Sequence, residues 1–137
     1  MKKATHVPTG ETVAVKICKT ISLSPDQLYA IEREIEVQRS LFHENIAQIY
    51  EVIHSKSTIY IVMEYCQNGE LFDYINRRGP LPEKEAAEIF HQILSALIYL
   101  RHQKISHRDV KPENILFHKN GKVKLIDFGF SCYKSQD

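Results

Sequence analysis

Residues 11–18 alternate regularly between apolar and polar side chains. One side of the alternation holds three β-branched residues, Val13, Val15 and Ile17. A period of two is typical of a strand, and it places Ala14 and Lys16 together on the opposite side. The pattern therefore predicts that Lys16 projects from a sheet.

A helix is predicted behind this strand. Ser24 is a suitable N-cap, Pro25 suits the first turn, and Gln27 is placed to close a capping box. An apolar stripe carries the helix to about Phe42, although Gln38 stands where the stripe would place an apolar residue.

The remaining apolar runs predict two strands, two helices and two short strands. They cover residues 46–53, 58–64, 70–78, 83–103, 115–117 and 122–126. Asn120-Gly121 would form the tip of the last hairpin. The longer helix has a stripe broad enough to need neighbours on more than one side, made of Ala86, Ile89, Phe90, Ile93, Leu94, Leu97 and Leu100.

Composition narrows the function classes. A chain of 137 residues is one domain or a piece of one. A formal charge of +1 gives no basic field for nucleic acid, and the most apolar stretch, residues 89–100, is too short to span a membrane. The cysteines form no paired motif, and no secretory signal begins the chain. These features predict a cytoplasmic location, with the nucleus left open.

Two motifs in the last third of the chain carry the chemistry. They are His107-Arg108-Asp109-Val110-Lys111-Pro112-Glu113-Asn114 and Asp127-Phe128-Gly129. Their eight defining residues match by chance with a probability on the order of 10⁻¹⁰ per start position. With Val13-Ala14-Val15-Lys16, they resemble the catalytic loop, metal motif and strand lysine of the protein kinase family. Residues 63–66 and 69–75 are most similar to its calmodulin-dependent and AMP-activated group.

The resemblance implies an α+β, protein-kinase-like fold with two lobes, in an incomplete form. Residues 1–64 would form part of the N-lobe, residues 65–68 the hinge, and residues 69–137 the first part of the C-lobe. The chain is expected to begin inside the family's second strand, without the first strand and the glycine-rich loop. It is expected to stop before most of the activation segment.

The resemblance also assigns catalytic roles. Lys16 would hold the α- and β-phosphates of ATP, and Glu34 would pair with its ammonium group. Asp109 would accept the proton of the substrate hydroxyl, and Lys111 would reach the γ-phosphate. The ligands of Mg²⁺ would be Asn114 and Asp127.

A nucleotide pocket and a protein substrate are implied in the same way. The pocket residues would be Ala14, Lys16, Met63, Glu64, Cys66, Glu70 and Leu116. Lys111, with Glu-Asn after Pro112, is typical of serine/threonine kinases. Glu70 and Glu113 are placed to meet ribose and a basic residue upstream of the target serine or threonine.

Two functions fit these features. The first is the catalytic region of a serine/threonine protein kinase, which transfers the ATP γ-phosphate to protein hydroxyls, with the isolated chain weakly active or inactive. The alternative is a noncatalytic fragment that binds a partner, or itself, through the apolar side of the helix at residues 83–103. The first function requires the side chains of residues 16, 34, 109, 114 and 127 to converge on one triphosphate-sized space.

Overall fold

The structure, a computed structural model, describes residues 1–134, with the backbone alone at Asn120. The side chain of Asn120, predicted at a hairpin tip, therefore lies outside the described part. The fold is of the α+β class, as predicted, and it groups into two units. These are Met1–Leu41 with Gln48–Tyr65, and Phe42–Ala47 with Cys66–Asp137.

An antiparallel sheet of four strands makes up most of the first unit. The order across it is β1-β2-β4-β3, with β1 at Lys2–His6, β2 at Glu11–Lys19, β3 at Ile49–His54 and β4 at Thr58–Glu64. Ala14 lies opposite Met63, and Lys16 lies opposite Ile61. This face of the sheet contributes to a core built from Ala14, Ile35, Ile49, Ile59, Ile61 and Met63.

Helix α1, Pro25–Arg39, begins where the sequence predicts. The Gln27 amide donates to the Ser24 hydroxyl at 3.3 Å, and the Ser24 amide donates to Oε1 of Gln27 at 2.9 Å. This reciprocal pair satisfies two amides that the helix itself leaves without acceptors. The helix ends before the predicted Phe42, because Ser40 caps it and donates its hydroxyl to the Val37 carbonyl at 2.7 Å.

The capping box predicts a measurable contribution to stability. Ser24→Ala removes the side-chain acceptor, so the free energy of unfolding is expected to fall by about 1 kcal/mol. Urea unfolding followed by circular dichroism measures this loss. Ser22→Ala, at an exposed turn position outside the helix, is the control and is expected to leave the midpoint unchanged. Equal effects of the two substitutions would contradict the capping argument.

Gln38 is buried in α1, although the helical stripe would make its position apolar. The residue is 4% exposed. A polar group buried without a hydrogen bond costs about 1–3 kcal/mol. Among the described residues, no buried side-chain nitrogen or oxygen lacks a hydrogen-bond partner. The fold therefore accommodates the glutamine by satisfying its polar atoms.

The second unit combines two helices with short strands. The helices are α2 at Leu71–Arg78 and α3 at Glu83–His102, and the strands are β5 at Ile105–Ser106, β6 at Ile115–Phe117, β7 at Val123–Leu125 and β8 at Cys132–Tyr133. Strand β6 pairs with β7, and β5 pairs with β8. Gly121, in the turn between β6 and β7, has a φ of 71°, which glycine adopts without strain.

The strand predicted to begin at residue 46 starts only at Ile49. Ile46 instead forms a parallel bridge with Leu125. The buried side chain of Asn45 donates to the Val123 carbonyl at 3.0 Å. Long-range bonds of this kind override a local strand pattern, because a period of two does not specify which backbone becomes the partner.

These bonds explain why Phe42–Ala47 belongs to the second unit. The lobes predicted from the sequence put all of residues 1–64 in the first lobe and residues 65–68 in a hinge. Those functional boundaries stay a prediction, and the observed units differ from them in this internal segment and in dividing the predicted hinge between Tyr65 and Cys66.

The apolar residues of α3 are divided between buried and exposed positions, and Ile98, outside the predicted stripe, is one of the exposed residues. Ile89 and Leu100 are buried, whereas Phe90, Leu94 and Ile98 are 64%, 41% and 49% exposed. The exposed three follow one another at helical spacing and form a continuous apolar row. Over residues 1–134, no helix combines the length and the apolar character needed to cross a membrane.

Candidate functional site

Strand β2 and helix α1 bring Lys16 and Glu34 together in the first unit. The Lys16 ammonium donates to Oε1 of Glu34 at 2.9 Å. The side chains are 36% and 18% exposed, so the pair is only partly shielded from water. A compact ammonium held by a carboxylate in this way has a fixed position, which suits it to meet a phosphate oxygen.

Asp109 lies at the centre of a hydrogen-bonded cluster in the second unit. The Lys111 ammonium is 3.0 Å from Oδ2 of Asp109. The side-chain amide of Asn114 donates to the backbone carbonyl of Asp109 at 2.9 Å and to Oδ2 of the same residue at 3.0 Å. The 3₁₀ turn Pro112–Asn114 brings Asn114 back towards Asp109.

The contact between Lys111 and Asp109 keeps both groups in their charged forms. The pKa of Asp109 is lowered, chiefly by the hydrogen bond from Lys111, and the pKa of Lys111 is raised by the same bond. Asp109 is therefore a carboxylate at neutral pH, and Lys111 is an ammonium.

Asp127 occupies a backbone conformation that is uncommon outside glycine. Its φ is 60°, in the left-handed region that aspartate tolerates better than most residues. The Gly129 amide donates to Oδ1 of Asp127 at 3.2 Å and orients the carboxylate. The Ile126 amide donates to the Asn114 carbonyl at 2.9 Å, so the backbone leading into Asp127 is tied to Asn114.

His107 joins the two motifs through both ring nitrogens. Nε2 lies 2.9 Å from the Ile126 carbonyl, and the Asp109 amide donates to Nδ1 at 3.2 Å. These partners require a neutral ring protonated at Nε2. The ring also meets Phe128 edge-on, with centroids 4.8 Å apart. His107 thus fixes the backbone on which Asp109 sits.

The environment of His107 predicts lower stability in acid. Burial lowers its pKa from the ordinary 6.5, against smaller opposing effects of the Ile126 carbonyl and the charges of Asp127 and Asp109. The unfolded chain therefore binds a proton that the folded chain resists. The stability contributed by neutral His107 is complete above pH 6.5 and is lost as pH falls through the lower folded pKa.

Urea unfolding between neutral pH and about pH 5 checks this expectation. The chain is expected to lose stability as pH falls, and His107→Gln is expected to flatten the dependence. A residual slope is expected from His43, whose pKa burial also lowers. Identical slopes for the variant and the unaltered chain would show that His107 does not carry the effect.

Asn114 and Asp127 provide the donor atoms that Mg²⁺ prefers. Asn114 uses its side-chain nitrogen towards Asp109, which assigns the amide oxygen as the atom a metal ion would meet. One amide and one carboxylate suit an ion that completes its octahedron with phosphates and water. The residues fit Mg²⁺ in this respect, and among the described residues no cluster of His, Cys, Asp and Glu offers a separate all-protein metal site.

The residues predicted to contact adenine are distributed over the two units. Buried Ala14 and Met63 are direct neighbours across β2 and β4 in the first unit. The Glu64 amide donates to the Gln48 carbonyl at 2.9 Å, so this N–H is already engaged. Glu70 and Leu116 form an antiparallel bridge in the second unit.

Two pocket predictions remain open after this placement. Cys66 is half-buried, and its contact with adenine stays a prediction. A common pocket for all the predicted nucleotide residues also stays a prediction. The structure adds supports that the motifs did not assign: the Ile126 backbone and the Gly129 amide. Backbone groups leave no residue signature, so sequence reasoning could not have named them.

The comparisons with known proteins agree with the motifs. A family model described as "Protein kinase domain" matches residues 1–137. The chain therefore belongs to the protein kinase family, as the sequence predicted. Protein kinases as a family use ATP and Mg²⁺ and act on protein substrates.

The relatives found among curated proteins are kinases by name. The chain is 45% identical over 134 residues to the maternal embryonic leucine zipper kinases of Xenopus tropicalis and Xenopus laevis, and 46% identical to that of Danio rerio. Each match covers 98% of this chain and 20% of the relative. The chain thus spans about one fifth of the length of these relatives.

Proposed function

We propose that this chain is the catalytic region of a serine/threonine protein kinase that binds Mg²⁺ and ATP and transfers the γ-phosphate to a protein hydroxyl. The observation that carries the proposal is the cluster in which Lys111 and Asn114 both contact the Asp109 carboxylate. Phosphoryl transfer needs little covalent chemistry from a protein, but it needs such groups in fixed positions.

The reaction assigns a separate task to each charged group. The substrate hydroxyl oxygen forms a bond to the γ-phosphorus, the bond from that phosphorus to the bridging oxygen of ADP breaks, and the hydroxyl proton passes to Asp109. A carboxylate with a lowered pKa is a weak base. Asp109 therefore first orients the hydroxyl as a hydrogen-bond acceptor and takes the proton late, as the bond to phosphorus forms.

The remaining groups neutralise the phosphates. The Lys111 ammonium has three donors, so it would keep its contact with Asp109 and also reach the γ-phosphate, whose negative charge it would stabilise during the transfer. Lys16, held by Glu34, would bind the α- and β-phosphates. Mg²⁺ held by Asn114 and Asp127 would supply charge neutralisation at the phosphate oxygens.

The finer features of the substrate rest on the resemblance and on exposed carboxylates. Lys111 followed by Pro112 supports serine or threonine as the acceptor. Exposed Glu113 and half-buried Glu70 support a preference for a basic residue upstream of it. A library of serine peptides would test this preference, and indifference to upstream arginine would refute it. The cytoplasmic location stays a prediction.

An alternative function is supported by the exposed row of Phe90, Leu94 and Ile98 on α3. A noncatalytic chain would use this row to bind a partner or a second copy of itself. Sedimentation at rising concentration tests self-association, which Leu94→Glu should abolish.

Thermal unfolding distinguishes the two functions. A working site predicts that ATP with Mg²⁺ stabilises the 137-residue chain, and that ATP with a chelator does so much less, because a ligand that binds only the folded state raises its stability. A folded chain that shows no magnesium-dependent gain would refute the kinase proposal and favour the interaction function.

A further inference from the structure

The sheet of the first unit has a second face, opposite to the one that packs in the core. Cross-strand pairing aligns Ile17 with Tyr60 and Tyr60 with Ile53 on this face. The next row aligns Val15 with Val62. Ile17 and Ile53 are 41% and 46% exposed, so two large aliphatic side chains stand at the surface of one unit.

A cavity of about 510 Å³ lies at one end of this face. Half-buried Val62 and the largely buried Val13, 6% exposed, form its apolar wall. The 52% exposed Tyr50 contributes an aromatic ring, and Glu11 and Glu51 contribute carboxylates. The cavity is within the size range of ligand-binding pockets, which begins at roughly 300 Å³.

The charges of this face are unevenly distributed. Glu11 and Glu51 line the cavity together with His6, and no lysine or arginine does so among the described residues. Glu64 lies on the same face, directly opposite Val13. The lysines of the face are outside the cavity: Lys2 is on the edge strand β1, and Lys19 is at the far end of β2. The cavity end is therefore acidic, and Lys19 places one positive charge at the opposite end of β2.

We propose that this face is a docking surface for an extended segment of a partner protein, in which an arginine or lysine is followed by alternating aliphatic residues. The aliphatic stem of the basic side chain would cover Val13 and Val62, and its charge would meet Glu11 and Glu51. Tyr50 would add a cation–π contact.

The aliphatic residues of the partner segment would pack on Val15 and Ile17. Side chains two residues apart in an extended segment lie on one side of it, so alternate residues can follow this face. The acidic cavity and Lys19 at the far end would give the bound segment one direction. The surface lies within the first unit and does not depend on the catalytic groups.

A labelled pentapeptide, Arg-Thr-Ile-Thr-Ile, tests the proposal against Glu-Thr-Ile-Thr-Ile as the matched probe. Saturable binding of the arginine probe to the 137-residue chain is expected, with amide chemical-shift changes at Val13, Val62 and Val15. Its affinity should fall with added salt. The double variant Glu11→Gln, Glu51→Gln should weaken it by about tenfold, whereas Glu36→Gln on α1 should leave it unchanged.

Several results would overturn the proposal. They are no saturable binding, equal binding of the two probes, a salt-independent affinity, or equal loss in the Glu36→Gln control. A concentration-dependent dimer that the double variant dissolves would assign the face to a second copy of this chain instead. Circular dichroism melts show whether the variants remain folded, so a folding defect can be distinguished from lost binding. The salt titration of the unaltered chain tests the role of charge without any substitution.

Discussion

Asp127→Asn is expected to abolish the magnesium-dependent part of ATP binding while leaving the fold intact. Asparagine tolerates the left-handed φ of 60° at this position. Its side-chain oxygen can still accept the hydrogen bond that the Gly129 amide donates at 3.2 Å. What disappears is the negative charge, which the proposed site needs because Mg²⁺ is otherwise offered only the neutral amide of Asn114.

Ligand-dependent unfolding measures the size of this effect. At a ligand concentration of about 100 times Kd, binding stabilises the folded state by about 2.7 kcal/mol, and the variant is expected to lose nearly all of this gain. Asp73→Asn, at an exposed position in α2, removes the same charge elsewhere in the second unit and should keep the gain. A magnesium-dependent gain that survives Asp127→Asn would refute the assignment of Asp127 as a metal ligand.

The pairing of Lys16 with Glu34 shows how far local patterns reach. The alternation in β2 predicted which side of the strand holds Lys16, and the capping box at Ser24 fixed the start of the helix that carries Glu34. Each pattern specifies one element. The pairing itself depends on how the helix packs, which local patterns do not specify, and it was predicted only from the resemblance to a family. The structure shows the pairing directly, with Nζ of Lys16 2.9 Å from Oε1 of Glu34.

The geometry around Asp109 and Asp127 was less accessible to sequence reasoning. The motifs identified both carboxylates, but Arg108 and Asp127 take positive φ values of 66° and 60° that no apolar period predicts. The Ile126 backbone supports His107 and Asn114 through groups that every residue possesses. A motif identifies the side chains that perform chemistry, whereas their positions depend on backbone bonds that have no residue code.

Phe128→Ala is expected to cause the largest loss of stability. Phe128 is 1% exposed and packs edge-on against His107, with ring centroids 4.8 Å apart. Removing a buried aromatic ring loses the free energy of its transfer out of water and leaves a cavity, so the free energy of unfolding falls by about 3–5 kcal/mol. This is a large part of the roughly 5–15 kcal/mol by which domains are stable. The chain has no tryptophan, so urea unfolding is best followed by far-ultraviolet circular dichroism.

Phe130→Ala is the matched control, since it removes the same ring two positions along the chain. Phe130 is 63% exposed, and its backbone carbonyl, which accepts the hydrogen bond from Arg108 at 2.6 Å, is kept. Loss of the Phe130 ring should change the free energy of unfolding by no more than about 0.5 kcal/mol. Equal losses for the two variants would show that Phe128 is not a core residue.

If only Phe128→Ala destabilises, it should also weaken ATP binding at temperatures where the variant remains folded, because the ring and His107 hold the backbone on either side of Asp127.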